Sequence, residues 1–222
     1  HVIAPYANLS FVETGKNPLG ILQFDRLNPT TELPSLNFPQ FTTIDAITDW
    51  TILRLGVRNT LQTRRDDGTL NFLAVDTFFN ANIDAPEYPG LASESAFSNL
   101  YNRLSYAPLP WAALQFDSQI PLSESGFTQF NTDVHFLASE DLSFTVGHRY
   151  LNNNPYFLNS SNLRFGSYYR INDNWAVSFT DQYEFTDSTL QQQDYEIHRD
   201  LSSWVATLGF TQRNNRSTST GK

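Results

Sequence analysis

The 222-residue sequence contains no cysteine, which excludes disulfide bonds, thiolate metal sites and cysteine nucleophiles. It also lacks any stretch close to the roughly 18 consecutive apolar residues that a membrane-spanning helix needs. Lysine and arginine form no long run, and the net charge is -9. Because nucleic-acid binding depends on a concentrated basic surface, the sequence argues against a nucleic-acid partner.

Motifs that would indicate catalysis are missing as well. The sequence has no G-x-S-x-G elbow and no glycine loop that would cradle a phosphate. Asp194, Glu196 and His198 alternate along one predicted strand and could bind a metal, although a polar barrel interior would need the same residues. His148 lies on the apolar side of its strand, but no particular serine is marked as its partner. We therefore expect no enzyme, cofactor or resident metal.

What the sequence does have is a two-residue alternation of apolar and polar side chains. Hydrophobic residues make up 40% of the chain, yet the mean hydropathy is -0.40. Leu53, Leu55 and Val57, for example, alternate with Arg54 and Arg58. A slip of one residue would place the arginines on the apolar face, so the register of such a strand is well specified.

This alternation predicts an all-β protein, an antiparallel transmembrane β-barrel or part of one with roughly 10 or 11 strands. Such strands exceed the usual mode of about 5–6 residues, as tilted membrane-crossing strands would. Short polar turns, among them Asp66-Asp67-Gly68-Thr69, alternate with longer connections, a layout typical of outer-membrane barrels. The predicted strands are 1–12, 50–65, 70–84, 98–107, 110–120, 127–138, 141–151, 157–171, 174–185, 188–199 and 202–213.

The segment 13–48 interrupts the pattern. It contains Pro18, Pro29, Pro34 and Pro39, and proline excludes it from a central strand. Apolar residues lie between the prolines, which argues against a solvated linker. Because a loop of this length is usually functional or packed, we expect it to fold over or into the barrel.

A basic stripe is the first candidate binding feature. Arg54, Arg58 and Arg64 alternate along one predicted strand, and Arg65 follows it. Inside a barrel, this stripe could attract phosphate or other anions. It could equally pair with Asp76 on the next strand of the hairpin. The sequence leaves both interpretations open.

The tryptophans are the second candidate feature. Trp50, Trp111, Trp175 and Trp204 lie at or near the starts of predicted strands. Barrels place aromatic residues at both membrane interfaces, where an apolar ring with a polar N–H is well accommodated. Recurrence at strand ends favours such a girdle over ordinary core packing.

Several segments resemble, in the same order, the LPS-assembly outer-membrane protein family (LptD, the organic solvent tolerance protein). They are the opening His1-Val2-Ile3-Ala4-Pro5-Tyr6, the Pro-rich stretch, Asp45 to Asp49, Leu55 to Arg65, Tyr169 to Trp175 and Tyr195 to Trp204. The resemblance covers most of the chain. It implies an outer-membrane barrel that receives lipopolysaccharide from periplasmic bridge proteins and inserts it into the outer leaflet. The lipoprotein plug LptE would sit inside that barrel, and no covalent chemistry would be involved.

The chain lacks the family's N-terminal periplasmic β-jellyroll and its disulfide cysteines. We therefore expect residues 1–222 to form a single barrel region, a fragment that covers much of the later half of the family's barrel. Two alternatives stay open. One is a porin-like or structural outer-membrane barrel, and the other is a soluble ligand-binding β-sandwich with aromatic residues buried between its sheets.

Overall fold

The computed structural model of the chain describes residues 1–13, 31–34, 49–65, 68–85, 96–122, 126, 128–154 and 157–214. These residues form an all-β structure of eleven strands. The strands are β1 (Val2–Val12), β2 (Trp50–Arg65), β3 (Gly68–Asp84), β4 (Phe97–Leu109), β5 (Ala112–Pro121), β6 (Gln129–Leu137), β7 (Leu142–Leu151), β8 (Ser160–Asn172), β9 (Trp175–Glu184), β10 (Thr189–Asp200) and β11 (Val205–Arg213). Within the same ranges, no helix is long and apolar enough to cross a membrane.

All eleven strands lie in one antiparallel sheet, and each pairs with its neighbours in the chain. The predicted all-β fold and the predicted strand number are confirmed, and β2 has the predicted bounds. In the described part of the chain β1 and β11 do not pair with each other. The sheet is therefore open at both edges, which is consistent with part of a barrel, and it is not the two-sheet arrangement of a sandwich.

The connections between strands differ at the two ends of the sheet. One end, the short-turn end, holds the connections 66–67, 110–111, 138–141, 173–174 and 201–204. The opposite end, the long-loop end, holds the connections 13–49, 85–96, 122–128, 152–159 and 185–188. Most connections follow the predicted layout, with short turns on one side and longer loops on the other. The exception is the four-residue connection 185–188, which lies at the long-loop end.

Local side-chain chemistry accounts for the tight turns. In the β8–β9 turn the Asn172 Oδ1 accepts hydrogen bonds from the backbone N–H groups of Asn174, at 2.9 Å, and Trp175, at 3.0 Å. Asparagine favours such turns because its side chain imitates a backbone acceptor. Gly68, which follows the β2–β3 turn, has a φ of 136°, a value that favours glycine. The predicted turn residues Asp66 and Asp67 lie outside the described residues.

The register separates the side chains into two faces. Arg58 stands opposite Asp76, and Val57 stands opposite Thr77, so alternate positions of β2 and β3 share a face. The polar face carries the charged residues considered below. The apolar face carries large hydrophobic side chains that are exposed, including Ile3, Leu9, Phe11, Leu55, Val57, Val134, Phe136, Val146, Tyr169, Tyr195, Ile197, Leu208 and Phe210.

The one buried apolar cluster found among the described residues lies on the polar face. It contains Leu33, Phe78 and Tyr101, and the partly buried Tyr6 packs against it. Phe78 and Tyr101 stack with ring centroids 5.1 Å apart. Leu33 comes from the Pro-rich segment, so the cluster attaches part of that segment to the sheet. Apart from Glu13 and Thr31–Pro34, the segment 13–48 lies outside the described residues.

Candidate functional site

Charged side chains of alternating sign cross the polar face. Arg58, Asp76, Arg103 and Asp117 stand opposite one another on the adjacent strands β2 to β5. Arg58 Nη2 lies 3.1 Å from Asp76 Oδ2, and Arg103 Nε lies 3.2 Å from Asp117 Oδ1. Ion pairs this exposed contribute only about 0–1 kcal/mol each. Their main effect is to keep this side of the sheet compatible with water.

One ion pair reaches across a whole strand. Arg164 Nη2 of β8 lies 2.8 Å from Asp133 Oδ1 of β6, with Gly147 of β7 between them in the register. A Cβ atom at Gly147 would lie 2.5 Å from Asp133 Oδ1. The glycine therefore leaves the space in which the two side chains meet, and it forms a depression in the polar face.

Residues 31–34, here called the strap, lie on the polar face. The Leu33 side chain is buried in the cluster of Phe78 and Tyr101. The Thr31 carbonyl accepts hydrogen bonds from the side-chain amides of Gln129 and Asn131, the latter at 3.1 Å. The strap thus contacts β3, β4 and β6, and Tyr6 of β1 packs against the same cluster. The described residues 31–34 of the Pro-rich segment therefore pack on the sheet. That the whole segment folds over or into a barrel stays a prediction.

Arg54 attaches the other end of the strap. Its guanidinium is buried, donates to Asn80 Oδ1 and to the Pro34 carbonyl at 2.9 Å each, and lies 4.1 Å from the Phe78 ring centroid. Both hydrogen-bond partners are neutral oxygens, so they do not neutralise the positive charge of the guanidinium inside this packed contact. Sequence reasoning identified this arginine but could not identify the strap as its partner.

The basic stripe is therefore not uniform. Arg58 pairs with Asp76, as one of the two interpretations proposed. Arg54 holds the strap. Arg64 lies exposed near the short-turn end, opposite Thr69. Attraction of phosphate or another anion to the stripe stays a prediction.

A cavity of about 430 Å³ opens beside the strap. Thr31 and Glu32 line one side, and polar side chains of β5 to β9 line the remainder. Asn131, Arg149 and Arg164 are among them. Sequence reasoning missed this cavity, because its walls come from five strands and from a segment whose docking no periodicity indicates.

Three of the four tryptophans lie at the same end of the sheet. Trp111, Trp175 and Trp204 belong to or border short turns, and all three are exposed. Trp50 differs, because it begins β2 at the long-loop end, is buried on the polar face and donates its indole N–H to Ser10 Oγ at 3.0 Å. The membrane girdle stays a prediction for the three exposed tryptophans, and Trp50 packs inside the structure.

Two serine–histidine contacts occur on opposite faces. On the polar face, the Ser178 Oγ lies 3.0 Å from His198 Nε2 and donates to Glu196 Oε2 at 3.0 Å. On the apolar face, His148 Nε2 lies 3.0 Å from Ser161 Oγ. The Ser161 backbone N–H, however, donates to a Glu184 oxygen at 2.7 Å and is not available to an oxyanion.

The predicted His198 cluster does not assemble into a metal site. Asp194 accepts a hydrogen bond from Gln192 at 2.5 Å, while His198 Nε2 lies 3.5 Å from Glu196 Oε2. Within the described ranges, no group of three or more histidine, aspartate or glutamate residues is arranged to hold a metal ion. The polar contacts of the cluster fit a hydrated barrel interior.

Comparison with known proteins adds no family to this description. No family model matches the chain, and no curated protein matches it. The features of the molecule that bear on function are the two faces of the sheet, the strap and the cavity beside it.

Proposed function

We propose that the chain is part of an outer-membrane β-barrel that takes part in lipopolysaccharide transport and insertion into the outer leaflet. The observation that carries the proposal is the contrast between the two faces of a single eleven-stranded sheet. The polar face holds ion pairs and a packed strap, whereas no segment among the described residues packs on the apolar face. Such a contrast is expected where one face lines an interior and the other contacts lipid.

The exposed apolar side chains argue for lipid contact. On β11 the exposed fractions are 76% for Leu208 and 63% for Phe210, and Leu9 on β1 reaches 64%. Soluble monomers rarely expose contiguous apolar patches larger than a few hundred Å². An apolar face that continues over eleven strands would be covered most simply by a bilayer.

Two features support lipid transport over a simple pore. The ordered resemblance to the LPS-assembly family covers most of the chain. The strap adds an apolar side chain, Leu33, to the rings of Phe78 and Tyr101 on the mainly polar face. Under this proposal, lipopolysaccharide is the transported molecule, and the plug LptE and the periplasmic bridge proteins are the expected partners.

A porin-like or structural outer-membrane barrel is the second candidate. The alternating charges of Arg58, Asp76, Arg103 and Asp117 favour it, because a water-filled lumen needs such a lining. This candidate shares the membrane location of the first. It differs in the molecules that would pass along the polar face, which would be water and small solutes rather than a glycolipid.

The membrane proposal is tested by refolding the complete 222-residue chain from urea, with and without detergent micelles. Far-ultraviolet circular dichroism and light scattering are the readouts. We expect a soluble β-rich form only with micelles, because the apolar face needs cover. A cooperative soluble monomer in plain buffer would contradict lipid contact and remove the support for both membrane candidates.

The two membrane candidates are separated by crosslinking. Because the chain has no cysteine, a single cysteine at Thr60 on the polar face can carry a photoreactive group, with Val57 on the apolar face as the matched control. The lipid-transport proposal expects lipopolysaccharide, in mixed micelles, to react from Thr60 as well as from Val57. Reaction from Val57 alone, with ion conductance in planar bilayers, would favour the porin-like barrel.

A further inference from the structure

We propose that the cavity beside the strap, between Thr31 and strands β5 to β9, is a binding site for an acidic saccharide. The inference goes beyond the proposed function, because a porin-like barrel with the same cavity would bind the same ligand. Its volume of about 430 Å³ falls within the range of roughly 300–1,000 Å³ that is usual for small-molecule sites. A ligand of about disaccharide size would fit.

The lining of the cavity selects for a hydroxyl-rich ligand. Arg149, Arg164 and Gln182 supply hydrogen-bond donors, while Asp117 and Asp133 supply acceptors. No aliphatic residue or phenylalanine lines it among the described residues, so an acyl chain would gain little there. A sugar hydroxyl both donates and accepts, which suits walls in which donors and acceptors are mixed.

Asn131 provides an unmet hydrogen-bonding need inside the cavity. Its Nδ2 donates to the Thr31 carbonyl at 3.1 Å. Its Oδ1 is buried and has no hydrogen-bond partner. Leaving a buried acceptor unpaired is costly, so such atoms usually have a partner. The wall of the cavity beside the strap therefore contains a polar group whose hydrogen-bonding capacity is not met.

Arg149 is the residue that would bind the acidic group of the ligand. Across the sheet it stands between Asn131 and Asn162, which are both neutral. Arg58, Arg103 and Arg164 on the same face each pair with an aspartate, whereas no such pair involves Arg149 within the described residues. Its guanidinium is exposed, lines the cavity and can bind a carboxylate or phosphate of the ligand in bidentate fashion.

Gly147 gives the site its depth. It stands between Asp133 and Arg164 in the register. Because it has no side chain, the Arg164 Nη2 can approach the Asp133 Oδ1 to 2.8 Å over its backbone. A methyl group there would lie 2.5 Å from Asp133 Oδ1 and 3.6 Å from Arg164 Nε. The pair would have to move into the cavity, so alanine at this position should obstruct ligand entry.

The test uses the complete chain refolded in micelles of dodecyldimethylamine oxide, a detergent without a sugar head group. Isothermal titration calorimetry measures binding of digalacturonate and of neutral galactobiose. We expect digalacturonate to bind at least about tenfold more tightly, since a charge-assisted hydrogen bond has roughly that effect. Arg149→Gln should remove the difference between the two sugars.

Arg170→Gln is the matched control. Arg170 is an arginine of the same face, but it pairs with Asp141 at the short-turn end at 2.6 Å, outside the cavity. This variant should leave both affinities unchanged. Gly147→Ala should weaken both sugars together, because it obstructs the cavity rather than removing the charge. Circular dichroism of each variant reads folding independently of binding.

Three outcomes would overturn the inference: neither sugar binds, Arg149→Gln leaves the preference intact, or inorganic phosphate alone binds as tightly as digalacturonate. The last result would indicate a simple anion site. Failure of saccharide binding would not affect the micelle requirement for refolding, so it is distinguishable from failure of the membrane proposal.

Discussion

Truncating Leu33 tests whether the strap is a structural part of the sheet. The Leu33 side chain is only 7% exposed and packs with Phe78, Tyr101 and Tyr6. Leu33→Ala removes three carbon atoms, each worth about 0.8 kcal/mol when buried. The residual cavity adds to this loss, although a four-residue strap can settle into it. We expect the free energy of unfolding to fall by about 2–3 kcal/mol.

The measurement is urea unfolding of the complete chain in detergent micelles, followed by circular dichroism. Leu158→Ala is the matched control, because Leu158 lies in the β7–β8 connection and is 65% exposed. Its truncation should change the free energy of unfolding by less than about 0.5 kcal/mol. Equal effects of the two substitutions would show that Leu33 is not docked, and the account of the strap would fail.

Two further substitutions test packing on the polar face, and a variant with one tryptophan tests the membrane girdle. Gly56→Ala should lower the free energy of unfolding by about 1–3 kcal/mol, because its methyl group would lie 2.5 Å from the Tyr6 ring. Gly209→Ala, whose nearest contact would be 3.4 Å, is its control, and equal effects would contradict the packing. Arg54→Met should lower the free energy of unfolding by about 1–3 kcal/mol, because it leaves the buried Asn80 Oδ1 and the partly buried Pro34 carbonyl without their donor. An unchanged urea midpoint would argue against those bonds. A variant with Trp204 as its sole tryptophan should be strongly quenched by brominated lipid, and unquenched emission in bilayers would remove Trp204 from the membrane girdle.

The sheet could be predicted because its pairing is entirely between neighbours in sequence. The alternation of Leu53 and Leu55 with Arg54 specifies a register, and turn residues such as Asn172 and Asn174 specify where strands end. In an up-and-down sheet these two signals determine each hairpin. The observed β2 and β9 therefore follow the predicted segments closely.

Contacts that depend on more than one hairpin could not be predicted. Asp133 meets Arg164 only because the registers of β6–β7 and β7–β8 bring both to Gly147. Even within the single β7–β8 hairpin, the contact between Ser161 and His148 could not be predicted, because neither residue carries a motif. Asp181 stands within the apolar pattern of β9, opposite Phe165, and has a buried oxygen with no hydrogen-bond partner. Alternation alone assigns a face to each residue but does not assign a partner.

The strap and the polar face depend on each other. Phe78 and Tyr101 are apolar exceptions on a face that otherwise carries Arg58, Asp76 and Arg103. Without Leu33 these two rings would face water, and without the rings Leu33 would have no cover. Sequence alternation therefore breaks at the place where a distant segment docks. Because a uniformly polar face would have no need of such rings, this break is the physical reason for treating the strap as a built part of that face rather than a surface loop.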